Sequence, residues 1–437
     1  MRRSILPLLL VAATQAAYAG APQTSPVQAG AAQTAMTYTP AQLPVADGVP
    51  IAELSVMRWQ GGGFEPIPFQ IDERDEFGMV WFRDSGFNRS GAAEVFDHED
   101  QLLFMYEDGA LKRPDSAVPE EGSLLAELEV RSPYDDTLYF YLVRNNSRRS
   151  QVRYIEHDPN TGVTRTPYYF LTADPENELN WQYLGYNGYT GPADASIIDT
   201  LKMRMSGGIL LKYPRVTLDN DNLRPRRTGF RIGPIRSVMH LETSVVFAGL
   251  PVMKLHVQAM RFPAHYEAHS YARIPTLYRR TVKYPQVVVT IDGNNLVGGK
   301  TWTSAGGDLR GRVDGKMDVQ EKALVEKPLS TDDSWIIFDS GKGFALLTEL
   351  LIPKELEGIP LELVYQDDAT LRNTPESYPG QLPNIGYALN GWPEADELNF
   401  AVRLLFFSRI DDRELENIAA LRSGRSLITL VHNTDSD

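Results

Sequence analysis

No cysteine occurs among the 437 residues. That excludes a disulfide framework, a thiolate metal site, a cysteine nucleophile and a thiol for lipid attachment. Beyond the first nineteen residues there is no apolar run near the roughly eighteen residues that a membrane-crossing helix needs. The chain also lacks a Gly-x-Ser-x-Gly elbow, a P-loop, a dinucleotide fingerprint and a haem-attachment pair, so no common catalytic motif claims it. Positive charge is in deficit, with 43 Lys/Arg against 57 Asp/Glu and a formal net charge of −14. Nucleic-acid binding rests on neutralising phosphates, so this balance argues against nucleic acid as the main partner.

What is present begins with an export signal. Arg2 and Arg3 supply a positive start, Ile5 to Ala13 a short apolar core, and Ala17-Tyr18-Ala19 a small-x-small cleavage site. A periplasmic or secreted bacterial location follows as the expectation. Export without disulfides suits a chain of this length, whose core can be large enough without covalent staples. Residues 20–45, rich in Ala, Gln, Pro, Thr and Ser, read as a flexible leader.

From residue 46 to 150 short apolar runs alternate with turn signals, as in a small N-terminal β-sandwich. Ile67, Phe69 and Ile71 would share one strand face, with Gln70 and Asp72 on the other. Leu124 to Val130 and Thr137 to Val143 form a plausible hairpin around a five-residue turn. Residues 151–437 read as a larger β-sandwich. There Met253, Leu255, Val257 and Ala259 alternate with Lys254, His256 and Gln258, and Trp335–Phe338 with Phe344–Leu351 makes a second hairpin. One helix is expected over 412–423, capped by Asp411 and closed by Gly424. The predicted fold class is therefore all-β, with mostly antiparallel packed sheets in a sandwich or super-sandwich and a short C-terminal helix.

Charge is segregated along the chain. Residues 202–283 hold fifteen Lys/Arg against four Asp/Glu, a net of +11, and four of the seven histidines. Such a segment marks where an anionic partner meets the protein. Arg224, Arg226, Arg227, Arg231 and Arg236, with Arg279 and Arg280 farther on, can bind carboxylate, sulfate or phosphate through paired hydrogen bonds. Within the segment, His265-Tyr266-Glu267-Ala268-His269 has zinc-protease spacing, but Tyr266 stands where the glutamate base would be required. On a strand, His265, Glu267 and His269 would instead face one way, as a candidate transition-metal set. His265, Tyr266, His269, Tyr271 and Arg273 are also the groups that β-elimination on an acidic polysaccharide would use: Arg to neutralise the uronate, Tyr or His to move protons. Calcium is a further candidate at Asp72–Glu76 and Asp97–Asp108. Asp219-Asn220-Asp221-Asn222 begins like a calcium loop and fails at Leu223.

Pro68-Phe69-Gln70-Ile71-Asp72-Glu73, followed by Glu99-Asp100-Gln101-Leu102-Leu103-Phe104-Met105, resembles a pattern in exported bacterial β-sandwich proteins of unknown function. Some of those are similar to sugar-binding super-sandwiches. The resemblance spans about forty residues and implies export and a β fold, with no catalytic residue. The sequence thus leads to an envelope protein that binds an anionic glycan, a lipid headgroup or an envelope protein through its basic segment. A polysaccharide lyase is the alternative, and a metal-dependent enzyme using His265, Glu267 and His269 a third reading.

Overall fold

Strict alternation along the strands sets the architecture. In the strand Leu250–Arg261, Leu255, Val257 and Ala259 turn into an apolar core, while His256 and Gln258 turn the other way. The computed structural model describes residues 34–132, 136–209, 211–353, 358–372, 382–410 and 428–433. Every strand pairing among them is antiparallel. The described α-helices are Thr276–Thr281 and Val319–Val325. The fold is all-β, and no described helix is long and apolar enough to cross a membrane. The helix expected at 412–423 lies outside the described residues.

A nine-stranded and a six-stranded sheet share the largest core, which a four-stranded sheet closes with Tyr169, Leu171, Trp181 and Leu184. The nine-stranded sheet runs from its edge strand Leu223–Ile232 through Ser237–Phe247, Leu250–Arg261 and His265–Arg273 to Glu397–Phe407 and Ala345–Leu351. Its inner face supplies Leu241, Val257, Ala268, Val402 and Leu346. The six-stranded sheet answers with Val289, Ile291, Leu363 and Tyr387. The expected hairpin at 335–351 forms as drawn, with Ile336–Asp339 paired to Ala345–Leu351.

Residues before 150 build a smaller sandwich. Its three-stranded sheet contains Ala35–Tyr38, Gln101–Met105 and Phe69–Asp72, and its five-stranded sheet contains the hairpin Ser123–Arg131 with Thr137–Arg144. Phe96, Leu102, Phe104, Leu128, Phe140 and Leu142 fill the space between them. Two features correct the sequence reading. Ala35–Tyr38 lies inside the stretch read as leader, yet it is a strand with Met36 and Tyr38 buried. The strand Ile428–Asn433 returns from the far end of the chain to pair with Ser123–Arg131, so this sheet is completed by residues assigned to the larger unit.

The two sandwiches meet on the outer face of the nine-stranded sheet. Val80, Phe82, Leu103 and Met105 pack there against Ile235, Val238, Met260 and Phe262. Burying each such side chain contributes about 1.5–3 kcal/mol. The seam has a polar part beside this apolar one, and that part holds the site.

Candidate functional site

The site is a cavity of about 220 Å³ between the two sandwiches. The strand His265–Arg273 forms one wall. Alternation on this strand sends His265, Glu267 and His269 toward the cavity, and Tyr266, Ala268 and Ala272 into the core. Pairing then aligns Glu267 with Arg403 on the neighbouring strand and Arg403 with Glu349 on the next. The register makes an acid–base–acid row across three strands, the arrangement in which cross-strand charges support one another. Arg403 Nε donates to Glu267 Oε1 at 2.6 Å, and its Nη1 reaches Glu349 Oε2 at 3.4 Å.

Glu267 gathers more than the arginine. His269 Nε2 lies 2.7 Å from its Oε2, and His265 Nε2 lies 3.5 Å from its Oε1. Burial alone would raise this carboxyl, but Arg403 and the two imidazoles hold it well below the usual carboxylate range. His265, stacked on Phe262 at 4.0 Å, is pushed down by burial against the opposing pull of Glu267.

The opposite wall comes from the smaller sandwich. Asp72 is fully buried and accepts from Arg236 Nε at 2.6 Å and Arg231 Nη1 at 2.9 Å. Gln70 Nε2 also donates to it, while Gln70 Oε1 accepts the backbone N–H of Arg236 at 3.0 Å. Gln101 Oε1 takes Arg236 Nη1 at 3.1 Å. Arg74 follows two residues after Asp72. Asp100 fixes its backbone, accepting the Arg74 N–H at 2.9 Å. Residues of the Pro68–Glu73 and Glu99–Met105 pattern therefore build this wall.

Arg74 and Arg236 are 5 % and 2 % exposed, and both line the cavity. Arg74 Nη1 and Arg236 Nη2 are buried without a hydrogen-bond partner. Burial first, and the positive charge of Arg236 second, push the Arg74 guanidinium down to about 10, against the pull of Asp72, Asp75 and Glu267, none of which hydrogen-bonds it. Two guanidinium groups, each with a spare buried N–H donor, thus stand in the wall of one small cavity. Such groups are costly to leave unpaired. A carboxylate, sulfate or phosphate would accept from both, because guanidinium matches those anions in charge and in donor geometry.

The structure distributes the sequence candidates unevenly. His265, Glu267 and His269 do share a face, as a strand requires. As a metal set they are corrected: both imidazole Nε2 atoms turn onto the Glu267 carboxylate, and Arg403 occupies its remaining side. Among the described residues no group of three His, Asp or Glu is placed to hold a metal ion. The lyase set does not converge. Tyr266 lies on the opposite face in the core against Trp181. Tyr271 is buried beneath Phe77 and Phe87, with its hydroxyl donated to Glu397 at 3.0 Å, and Arg273 is exposed at the strand end.

Of the arginines, Arg231 and Arg236 join the two sandwiches through Asp72. Arg226 pairs with Glu242 at 3.2 Å, and Arg279 is bound to Asp396. Arg224 donates to the backbone carbonyls of Asp221 and Leu223, and Arg227 to that of Pro159. Arg280 is exposed. The acidic clusters serve the fold in place of calcium. Asp75 accepts the N–H groups of Phe77 and Met79, Glu73 pairs with Arg89, and Asp100 holds Arg74 and Asp97. Asp219 caps a 3-10 turn, accepting from Asp221 N.

The sequence reading missed Arg74, Arg403, Gln70 and Gln101. Arg74 carried one usable signal: it is a lone cation between Asp72-Glu73 and Asp75-Glu76. Arg403 carried none, because its role comes from register alone.

No protein-family model and no curated protein matches the chain. Among solved structures it is similar to an α-mannosidase from Enterococcus faecalis V583, at 9 % identity and a TM-score of 0.49, over 92 % of this chain and 45 % of that one. It is also similar to a glycosyl hydrolase family 38 protein from Enterococcus faecalis, at 8 % identity and 0.45, over 88 % and 42 %. A third is a GalM/aldose epimerase homologue from C. elegans, at 10 % and 0.28, over 59 % and 99 %. The chain spans less than half the length of the two Enterococcus proteins. At these identities and TM-scores none of their chemistry transfers to this chain.

Proposed function

We propose that this is an exported envelope protein that binds a small anionic ligand, or the acidic end of a glycan, in the cleft between its two sandwiches. One observation carries the reading: Arg74 Nη1 and Arg236 Nη2 are buried donors without partners on the wall of one cavity. Both donors are closed off from water, and the repulsion between two neighbouring cations adds to that cost. An anion removes both costs. His269 on the same wall is partly exposed and adds a donor or acceptor for a sugar hydroxyl. Binding is favoured over elimination because Tyr266 and Tyr271 are withdrawn from the cleft.

The test measures the melting temperature of the protein against glucuronate, galacturonate, sulfate and phosphate, with glucose as the neutral control. At least one anion should raise it in a concentration-dependent way, as mass action requires of a ligand that binds only the folded state. Arg74→Met should abolish that rise. Without ligand the variant should be as stable as the parent or more so, since it removes an unpaired buried charge while keeping side-chain volume. Absence of any anion effect, or an unchanged effect in Arg74→Met, would overturn the proposal. Release of an unsaturated, ultraviolet-absorbing product from a polyuronate would replace binding by lyase activity.

A further inference from the structure

Away from the cleft, the nine- and six-stranded sheets part at one end around a second cavity of about 280 Å³. Its walls are almost wholly apolar and include Met205, Val216, Val245, Met253, Val287 and Leu398. The mouth is framed firmly. Tyr278 Oη donates to Val252 O at 2.7 Å, tying the helix Thr276–Thr281 to a hairpin, and Trp392 Nε1 donates to Val282 O at 3.0 Å.

Around this mouth stand apolar side chains with nothing to cover them among the described residues. The turn between Ile198–Ile209 and Arg215–Leu218 exposes Ile209, Leu211 and Tyr213. The tight turn between Ser237–Phe247 and Leu250–Arg261 exposes Phe247 and Leu250, and Leu277 and Tyr284 complete the rim. These are seven of the fifteen large hydrophobic residues exposed among the described residues, and the segments that carry them all border the cavity. A contiguous exposed apolar patch of this kind marks an interaction surface.

Cations are interleaved with the patch. Lys212 lies 5.6 Å from the ring of Tyr213 and 5.8 Å from that of Tyr284. Lys212, Arg280 and Lys283 are exposed, and none forms an ion pair among the described residues, whereas Arg279 is taken up by Asp396. A second copy of the chain would bring these like charges face to face, which disfavours self-association. A soluble glycan would find almost no hydrogen-bonding groups in the cavity. Tyrosine and lysine beside protruding Leu, Ile and Phe are the chemistry of a membrane interface: rings and ammonium groups sit at headgroup level while the apolar tips enter.

We propose that this end of the sandwich docks on an anionic lipid bilayer. Leu211, Leu250 and Leu277 enter the interface, Lys212, Arg280 and Lys283 meet headgroup phosphates, and one acyl chain occupies the cavity. The test is cosedimentation of the chain from Gly20 onward, so that the apolar N-terminus cannot carry the binding. Vesicles of phosphatidylglycerol with phosphatidylcholine are compared with phosphatidylcholine alone.

Binding is expected only with the anionic lipid and should weaken as salt rises. The double variant Leu211→Ser/Leu250→Ser should lose affinity by about tenfold or more, and Lys212→Gln/Lys283→Gln by a similar factor. All four side chains are exposed. The lysine pair decides the outcome should the leucine pair unfold. No binding to anionic vesicles at low salt, or equal binding by the lysine variant, would overturn the proposal. So would a concentration-dependent dimer that Leu211→Ser/Leu250→Ser abolishes. Arg74→Met should keep full vesicle binding, so the cleft and the lipid surface stand or fall separately.

Discussion

Burial, more than sequence neighbourhood, decides what a charged residue does in this protein. Arg74 sits among four acidic residues in sequence, yet its side chain hydrogen-bonds none of them and turns to the cleft. His240 shows the complementary case. It is fully buried; its Nδ1 lies 3.2 Å from Gln258 Nε2, and its Nε2 lies 3.2 Å from His256 Nδ1. Gln258 Nε2 also donates to Val80 O, so its second hydrogen points to His240 Nδ1 and the ring proton belongs on Nε2. Burial, with His256 beside it, pushes the His240 pKa down to about 3. The unfolded chain then takes up a proton that the folded chain refuses, so this residue's contribution is complete above about pH 6.5 and is lost as pH falls toward 3. Asp75, Asp100 and Asp108, raised by burial to about 6, oppose it: their folded forms hold protons over the same range. The clean measurement is therefore a difference. Comparing urea unfolding of the parent and His240→Gln at pH 7 and pH 5, the parent should lose roughly 1–2 kcal/mol more than the variant. Equal slopes would mean that His240 is charged in the folded state.

Among the elements, the hairpins were legible because local sequence specifies them: alternating apolar residues on both arms and a polar turn between. Ser123–Arg131 with Thr137–Arg144, and Ile336–Asp339 with Ala345–Leu351, need no distant partner to be recognised. Phe69–Asp72 was harder. Its alternation is right, but Gln70 and Asp72 are the buried side chains and Phe69 and Ile71 the half-buried ones. A polar seam reverses the usual sign of the pattern. This seam is tight at Gly233, where an added Cβ would come within 1.8 Å of Gln70 Oε1. Gln70 cannot step aside without losing its bonds to Asp72 and to the backbone N–H of Arg236. Gly233→Ala should therefore destabilise the protein by about 1–3 kcal/mol, read from the urea midpoint. Asp72→Asn should cost more, about 3–5 kcal/mol, because it strips the shared partner from Arg236 and Arg231. A variant within 1 kcal/mol of the parent would show that the seam contributes little.

For the whole molecule, the segregated charge turns out to serve several ends. Part of the basic segment is internal joinery: Arg231 and Arg236 tie the sandwiches together through Asp72, and Arg261 is bound to Glu178 in the core. Part lines the cleft, and part stands on the apolar rim with Lys212, Arg280 and Lys283. Sequence alone determined the all-β class, the main hairpins and the stretch of chain in which charged partners had to be sought. These follow from period-two alternation, turn residues and charge counts, which are local properties and survive without coordinates. Tertiary structure alone decided which charges are neutralised and which are free. It set the register that aligns Glu267, Arg403 and Glu349, turned Tyr266 inward, and brought Arg74 against Arg236 across 162 positions of sequence. The physical reason is that a charge's role depends on its distance to others and on the water around it. Both are fixed only when distant strands pack.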